Sequence, residues 1–244
     1  MKKQAVYIGS EIYRKASFGR NHPLAYARQE SVLDMCRVLG WLPKSAFVKS
    51  PIADYNTLIR YHDPLYVQAL KQADFRGKAT REDRELYKFG TMENPLFQGV
   101  FRRASTTIGG SILAAKKAMD GHLVFHPSGG THHGLKHQAH GFCYFNDPVF
   151  ALQTFLDAGH KRIAYVDIDA HHGDGVELAF ADDPRVCFVS VHEDKRWPHT
   201  GTLADQRPGQ MNIPVPYGIN DSEYRLIIDQ LVVPALTQFA PEAI

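Results

Sequence analysis

The sequence predicts an α/β fold, a mostly parallel sheet flanked by helices. Three observations carry that expectation. Apolar runs rich in β-branched residues, Ile163–Ile168 and Val186–Val191, alternate with segments whose apolar residues recur at helical spacing. The residues best suited to chemistry follow directly after such runs, where open parallel sheets receive their ligands. The length, 244 residues with 44% hydrophobic, allows one domain over 1–244 with a sizeable core and no disulfide staples.

Taken in order, Val6 to Gly9 forms a short first strand. From Leu24 to Leu39 the apolar residues, Ala27 and Val32 among them, follow three- and four-residue steps, so a helix is expected there, stopped by Gly40. Phe47–Val48 can form a strand, and two short helical pieces follow over Tyr55–Tyr61 and Pro64–Ala73. Residues 76–95 are the most polar stretch and are expected as an exposed loop with some helical turns. Val100, Ala104, Ile108, Ile112, Ala115 and Met119 repeat at helical spacing, and Asp120-Gly121 closes that helix. Leu123–Phe125 is a short strand. Asp147-Pro148 is expected as the N-cap and first residue of a helix ending near Gly159. Ile163–Ile168 is a strand, Val176–Phe180 a short helix, Val186–Val191 a strand and Met211–Val215 an extended piece. Asp221 or Ser222 begins a helix to about Phe239, and Ala240-Pro241-Glu242 turns into a further strand. A chain ending inside an element, at Ile244, is expected to be part of a longer protein.

Composition excludes several function classes. Lys plus Arg exceed Asp plus Glu by two, so no basic field points to nucleic acid. Cys36, Cys143 and Cys187 are odd in number and widely spaced, which offers neither a disulfide framework nor a metal knuckle. No secretory leader is legible at the start, and no apolar stretch approaches the roughly 20 residues of a membrane helix. The expectation is a soluble, cytoplasmic protein without membrane attachment. One anomaly remains: nine of the 13 histidines fall between His122 and His172. Imidazole serves proton transfer near neutral pH and transition-metal binding.

Three strand ends carry the unusual residues: HPSGGTHHGLKHQAHGFCYFND from His126, DAHHGDG from Asp169, and HEDKRWPHTG from His192. If strand alternation persists at the second, Asp167, Asp169 and His171 share a face while Ile168 turns to the core. Two carboxylates and an imidazole converging there repel and resist desolvation without a cation. Oxygen and nitrogen donors suit Zn²⁺, Fe²⁺ or Mn²⁺. A single buried Asp or packed His is the commoner case for one residue; the whole D-x-D-x-H-H-G-D-G block favours the metal. His132-His133 follows a Gly-Gly turn that allows close backbone approach, so two imidazoles can address one reacting centre. By itself, however, a His-His dipeptide is more often an exposed loop pair.

These blocks together resemble the histone deacetylase family, which includes bacterial acetoin-utilisation-type proteins and acetylpolyamine amidohydrolases. The resemblance runs through GGTHHGLKHQAHGFCYFND, YVDIDAHHGDGVELAF and FVSVHEDKRWPHTG, and more weakly upstream through NHPLAYAR and IRYHDPLYVQAL. It implies the arginase–deacetylase fold and metal-dependent hydrolysis of an acyl-amide, acetyl-lysine or an acetylated polyamine. Asp169 and His171 match two of three metal ligands, with Zn²⁺ the implied ion and Fe²⁺ its alternative. His132 and His133 match the tandem catalytic histidines, the first paired with Asp167 and the second with Asp174. His133 is then the general base and acid, and His132 gives electrostatic stabilisation. Gly141 offers its carbonyl to the substrate amide. Phe142 walls an acyl-lysine-sized tunnel opposite Trp197, which stands where many members carry Phe. Asp167 and Ser190, with the backbone oxygens of Asp169, His171 and Val191, match a structural potassium site. Glu93 aligns with an acidic rim residue that grips the substrate backbone, and Arg28 with an interior arginine linked to product exit. Oligomers are compatible with the family; direct nucleic-acid binding is not expected.

The family's third metal ligand and its carbonyl-polarising tyrosine match nothing up to Ile244, so they are expected beyond it, and residues 1–244 alone should bind metal weakly and hydrolyse acetyl-amides poorly. Two rivals stand beside this reading. A ureohydrolase with two manganese ions wants D-x-H-x-D, but Gly173 occupies the last place and the carboxylate comes one later, at Asp174. A catalytically silent binder of acyl-lysine or polyamine is disfavoured by the retention of both histidines and both partner aspartates.

Overall fold

The computed structural model describes residues 5–15, 18–19, 22–25 and 28–244. The chain forms two compact units, Met1–Thr154 and Phe155–Ile244, each with its own parallel sheet. The α/β class expected from the sequence is the one observed.

In the first unit β1 (Val6–Gly9) lies between β2 (Phe47–Lys49) and β3 (Val124–Phe125), with Tyr7 opposite Phe47 and Val6 opposite Val124. All four residues of β1 are buried, as a central strand covered on both faces must be. A short α1 (Ile12–Lys15), absent from the sequence reading, follows β1. Pro23–Ala25 forms a separate 3₁₀ turn, Ala27 lies outside the described residues, and the expected helix runs as α2 (Arg28–Val38).

α3 (Tyr55–Leu58) and α4 (Pro64–Arg76) begin where carboxylates accept their first free amides. Asp54 Oδ1 takes the Thr57 amide at 2.8 Å, and Asp63 Oδ1 takes those of Leu65 and Tyr66. Within the polar stretch 76–95 the structure contains a real helix, α5 (Arg81–Leu86), nucleated by a reciprocal capping box between Thr80 and Asp83. Asp83 is buried and holds Arg76 at 2.8 Å, so this segment is tied down rather than wholly exposed. Tyr66, Leu70, Phe89, Ile108, Phe145 and Phe150 centre the unit's core. Through it runs α6 (Val100–Met119), which starts without a cap of its own because Gly99 has no side chain to offer. Asp74 of α4 supplies one instead, accepting the Gly99 amide at 2.7 Å and the Phe101 amide at 3.1 Å. α7 (Asp147–Asp157) follows the His-rich segment.

In the second unit β5 (Val186–Glu193) is central, flanked by β4 (Ile163–Asp167) and β6 (Gln210–Val215). Seven of its eight residues are buried. α8 (Asp174–Ala179) crosses from β4 to β5. The single helix expected over 221–239 is instead α9 (Asp221–Ile227) and α10 (Val233–Phe239) joined by a π turn over Ile228–Val232. Pro234 explains the break: it lacks the amide an α-helix needs there, and its ring collides with the carbonyl one turn back. The strand expected near the end is under way, since Ala243 pairs in parallel with Ile163 and its carbonyl takes the Ala164 amide at 2.9 Å. Among the described residues no helix is long and apolar enough to cross a membrane.

Because Asp74 carries two amides at the start of α6, Asp74→Ala should lower stability by about 1–2 kcal/mol, the usual worth of a helix cap with a favourable charge. A urea titration should show the midpoint fall while the slope stays constant.

Candidate active site

The His132-His133 dipeptide sits on the loop between β3 and α7. Both imidazoles are buried, 6% and 4% exposed, which overturns the commoner expectation of an exposed loop pair. Their rings lie 3.9 Å apart, centre to centre, tilted by 46°. Two buried amino acids hold their backbone. Asp147 accepts the Thr131 amide at 2.7 Å, the Thr131 hydroxyl at 2.5 Å, the Gly130 amide at 3.2 Å and the Ser111 hydroxyl at 2.5 Å. The close approach expected of the Gly-Gly pair is to this carboxylate: a Cβ on Gly129 would stand 2.6 Å from Asp147 Oδ2. Asp147 is therefore not the N-cap that its Asp-Pro sequence suggested. It lies inside α7 with its carboxylate spent on the turn, and Asn146 accepts the Val149 amide at 3.3 Å in its place.

Asn146 also donates from Nδ2 to the carbonyls of His132 and Gly134, at 3.1 and 2.9 Å. Its own amide donates to His62 Nε2 at 3.1 Å. That bond fixes the proton of His62 on Nδ1, which faces the Leu135 and Lys136 carbonyls at 3.1 and 3.3 Å. Full burial drives the His62 pKa from 6.5 down to about 3. His62 is a neutral strut for the loop that carries the dipeptide, and sequence reasoning passed over it inside IRYHDPLY.

Gly141 and Phe142 both take left-handed backbone conformations, with φ of 53° and 67°. The conformation is fixed by two neighbouring side chains. Glu93 Oε1 accepts the Gly141 amide and Asn94 Oδ1 the Phe142 amide, each at 2.9 Å. His22 packs edge-on against the Phe142 ring at 4.5 Å. The Gly141 carbonyl accepts from the Cys143 thiol at 3.3 Å and keeps a second lone pair. Arg28, expected as an interior residue, is exposed and reaches the Pro23 carbonyl.

In the second unit the ladder between β4 and β5 ends with Asp167 opposite Ser190. Strand alternation does not continue past it, and Ile168 is 65% exposed instead of turning to the core. The reason is local. Asp167 Oδ1 accepts the Asp169 amide at 3.1 Å, and Asp169 Oδ1 accepts the His171 amide at 2.8 Å. Two successive Asx turns thus replace extended chain. They still bring Asp169 and His171 together, with Asp169 Oδ1 2.7 Å from His171 Nδ1. Both are solvent-accessible, whereas Asp167, which also accepts from the Tyr165 hydroxyl at 2.8 Å, is buried. Asp174 is buried at the start of α8, its Oδ1 accepting the Gly175 amide at 2.9 Å. Trp197, on the loop after β5, sets its indole edge-on to His171, 6.1 Å between ring centres. The 2.7 Å contact is a hydrogen bond between a carboxylate and an imidazole, two side chains of the donor types a divalent cation accepts.

Residues 22–244 match the histone deacetylase domain. The chain belongs to the histone deacetylase family. It is 33% identical over 231 residues to the acetoin utilization protein AcuC of Bacillus subtilis, covering 91% of this chain and 59% of that protein. It is 31% identical over 236 residues to human histone deacetylase 1, covering 93% of this chain and 48% of that one. The crystal structure of a histone deacetylase homologue from Aquifex aeolicus superposes with a TM-score of 0.93 at 31% identity, covering 98% of this chain and 67% of that one. The chain thus spans about half to three fifths of the length of these curated relatives.

His62 gives the first unit an acid limit. Its folded pKa lies below its unfolded one, so the stability is complete above pH 6.5 and drains as pH falls toward 3, the unfolded chain binding the extra proton. The free energy of unfolding should fall across that window with a contribution of up to about 1.4 kcal/mol per pH unit from this one group. His62→Gln should flatten the slope by about one proton, as read from chemical denaturation at several pH values.

Proposed function

We propose that the protein is a metal-dependent amidohydrolase that removes the acetyl group from an acetyl-lysine or acetylated-polyamine amide. The observation that carries this reading is the 2.7 Å approach of Asp169 Oδ1 to His171 Nδ1, on an open loop, in a chain of the histone deacetylase family. A catalytic zinc commonly takes three protein ligands, and these residues account for two; Fe²⁺ accepts the same donors. When bound, the ion polarises the acyl carbonyl and lowers the pKa of a water.

The chain's own residues do the rest. His133 takes the proton of the attacking water and returns it to the leaving amine, and His132 stabilises the charge that develops on the acyl oxygen. Asp174 orients His133 and Asp167 orients His132. The Gly141 carbonyl receives the substrate N–H on its second lone pair, and Phe142 and Trp197 flank the acyl chain. Glu93 acts at the rim. Asp167 and Ser190, with the backbone oxygens of Asp169, His171 and Val191, hold a structural potassium ion; the register that sets Asp167 beside Ser190 supports this assignment.

The two histidines are unequal in this scheme. A carboxylate already shared with potassium raises its histidine's basicity less, so His132 stays neutral and His133 carries the proton. In a chain that also carries the third metal ligand, hydrolysis of acetyl-lysine and acetylpolyamine amides should be abolished by chelation and restored by metal, with one ion per chain by elemental analysis. In the intact enzyme His133→Ala should lower kcat by about 10²–10⁴-fold and His132→Ala by less, both keeping the metal. Two bridged ions per chain, or a larger kcat loss in His132→Ala at saturating substrate, would reject the scheme.

A further inference from the structure

His171 and His172 are neighbours with opposite fates. His171 is accessible on the metal loop, while the His172 side chain is 1% exposed and points into the unit. Its Nδ1 lies 2.8 Å from Thr200 Oγ1, on the loop that follows β5 and carries Trp197. The same ring fits against Gly201 so closely that a Cβ there would meet it at 2.5 Å, and Gly201 has a φ of 74° that side chains rarely adopt. His192 adds a second imidazole, 2.9 Å from the Gly201 carbonyl through Nε2 and 3.0 Å from Ser190 Oγ through Nδ1.

The loop packs closely at Gly201, but its neighbouring residues line a partly open cleft of about 110 Å³, among them His192, Asp194, Lys195, His199 and Thr200. Lys195 and His199 take left-handed conformations, with φ of 59° and 66°, and such backbone persists only where its surroundings hold it. Beside an open cleft fewer atoms make dispersion contacts, so a directional bond such as that at Thr200 carries more of the positioning.

We propose that His172 and Thr200 form a positioning pair that fixes Trp197 over His171 and thereby sets how long an acyl chain the site accepts. The proposal rests on reading Trp197 as a wall of the acyl tunnel. His172 does not touch the substrate; it acts through Thr200 on the indole.

The chain has two tryptophans, Trp41 and Trp197, so Trp41→Phe leaves Trp197 as the sole tryptophan, excited selectively at the red edge beyond tyrosine absorption. Trp41 is 69% exposed and lies in the first unit, which makes that background benign. In it, Thr200→Val removes the hydroxyl at unchanged shape. Thr200 is itself exposed, so the variant should fold, which far-UV circular dichroism checks. Trp197 emission should shift to the red and acrylamide quenching should rise, while Thr200→Ser, which keeps the hydroxyl, should match the parent. Unchanged emission and quenching in Thr200→Val would overturn the strut. In the hydrolysis assay, on a chain that carries the third metal ligand, the ratio of propionyl to acetyl kcat/KM should rise by about tenfold, the discrimination one methylene carries in an apolar pocket. A released indole with an unchanged ratio would overturn the specificity role. Fluorescence decides the strut without turnover, so failure of a chain that carries the third metal ligand to hydrolyse either amide refutes the proposed function and not the strut.

Discussion

The pairing of β4 with β5 stops at Asp167 and Ser190, and the arrangement of the second unit's reactive groups follows from that stop. A strand that continued would send Asp169 and His171 along an extended line, about 6.6 Å per pair of residues. Instead the Asp167 carboxylate captures the Asp169 amide, and Asp169 captures the His171 amide. The chain curls, and an oxygen and a nitrogen that were two residues apart come within 2.7 Å. Buried Asp167 thus has a structural task before it has any chemical one. Its replacement by a residue without an acceptor would free the backbone that presents Asp169 and His171.

The first unit solves a different problem with the same currency. A histidine dipeptide inside a protein exposes its carbonyls to a dry interior, where unpaired polar groups cost about 1–3 kcal/mol each. Asn146 answers the His132 carbonyl and that of Gly134 with one amide, and His62 supports Asn146 and the carbonyls of Leu135 and Lys136. Every member has its donor and acceptor pattern committed. Such a network favours one arrangement of the loop that holds two imidazoles 3.9 Å apart.

Elements built on local periodicity were legible. The β-branched runs became β4 and β5, and the repeat from Val100 to Met119 became α6. What failed were readings that depend on which neighbour a side chain captures. Asp147 looked like a cap because Asp-Pro caps helices, yet the turn at Thr131 bound its carboxylate first. Ile168 looked buried because alternation was extended one residue past the last ladder pair. The polar run 76–95 hid α5 because a capping box and one buried aspartate organise it, not an apolar stripe. His62 was invisible for a stronger reason: its partner Asn146 is 84 residues away, and no local pattern encodes that distance. The three chemical blocks were readable because their spacing is short, and the family resemblance they gave is the one the comparisons bear out.

The concentration of histidines that first drew attention resolves into two uses of one ring. An imidazole has two nitrogens at fixed directions, one donor and one acceptor when neutral, which makes it a rigid two-ended connector as well as a base. His62 connects through both nitrogens, whereas His172 bonds through Nδ1 and only approaches Glu177 Oε2, at 3.4 Å, with Nε2; burial lowers the two to about 3 and about 4, so both are uncharged over the physiological range. Burial lowers His126 and His192 as well. A ring that must stay neutral to tolerate burial is a poor proton carrier, and a ring that must change charge needs a compensating partner close by. The count of histidines therefore overstated the chemistry. The informative feature was adjacency, His171 beside His172, where the first ring is accessible beside Asp169 and the second braces the loop beyond it.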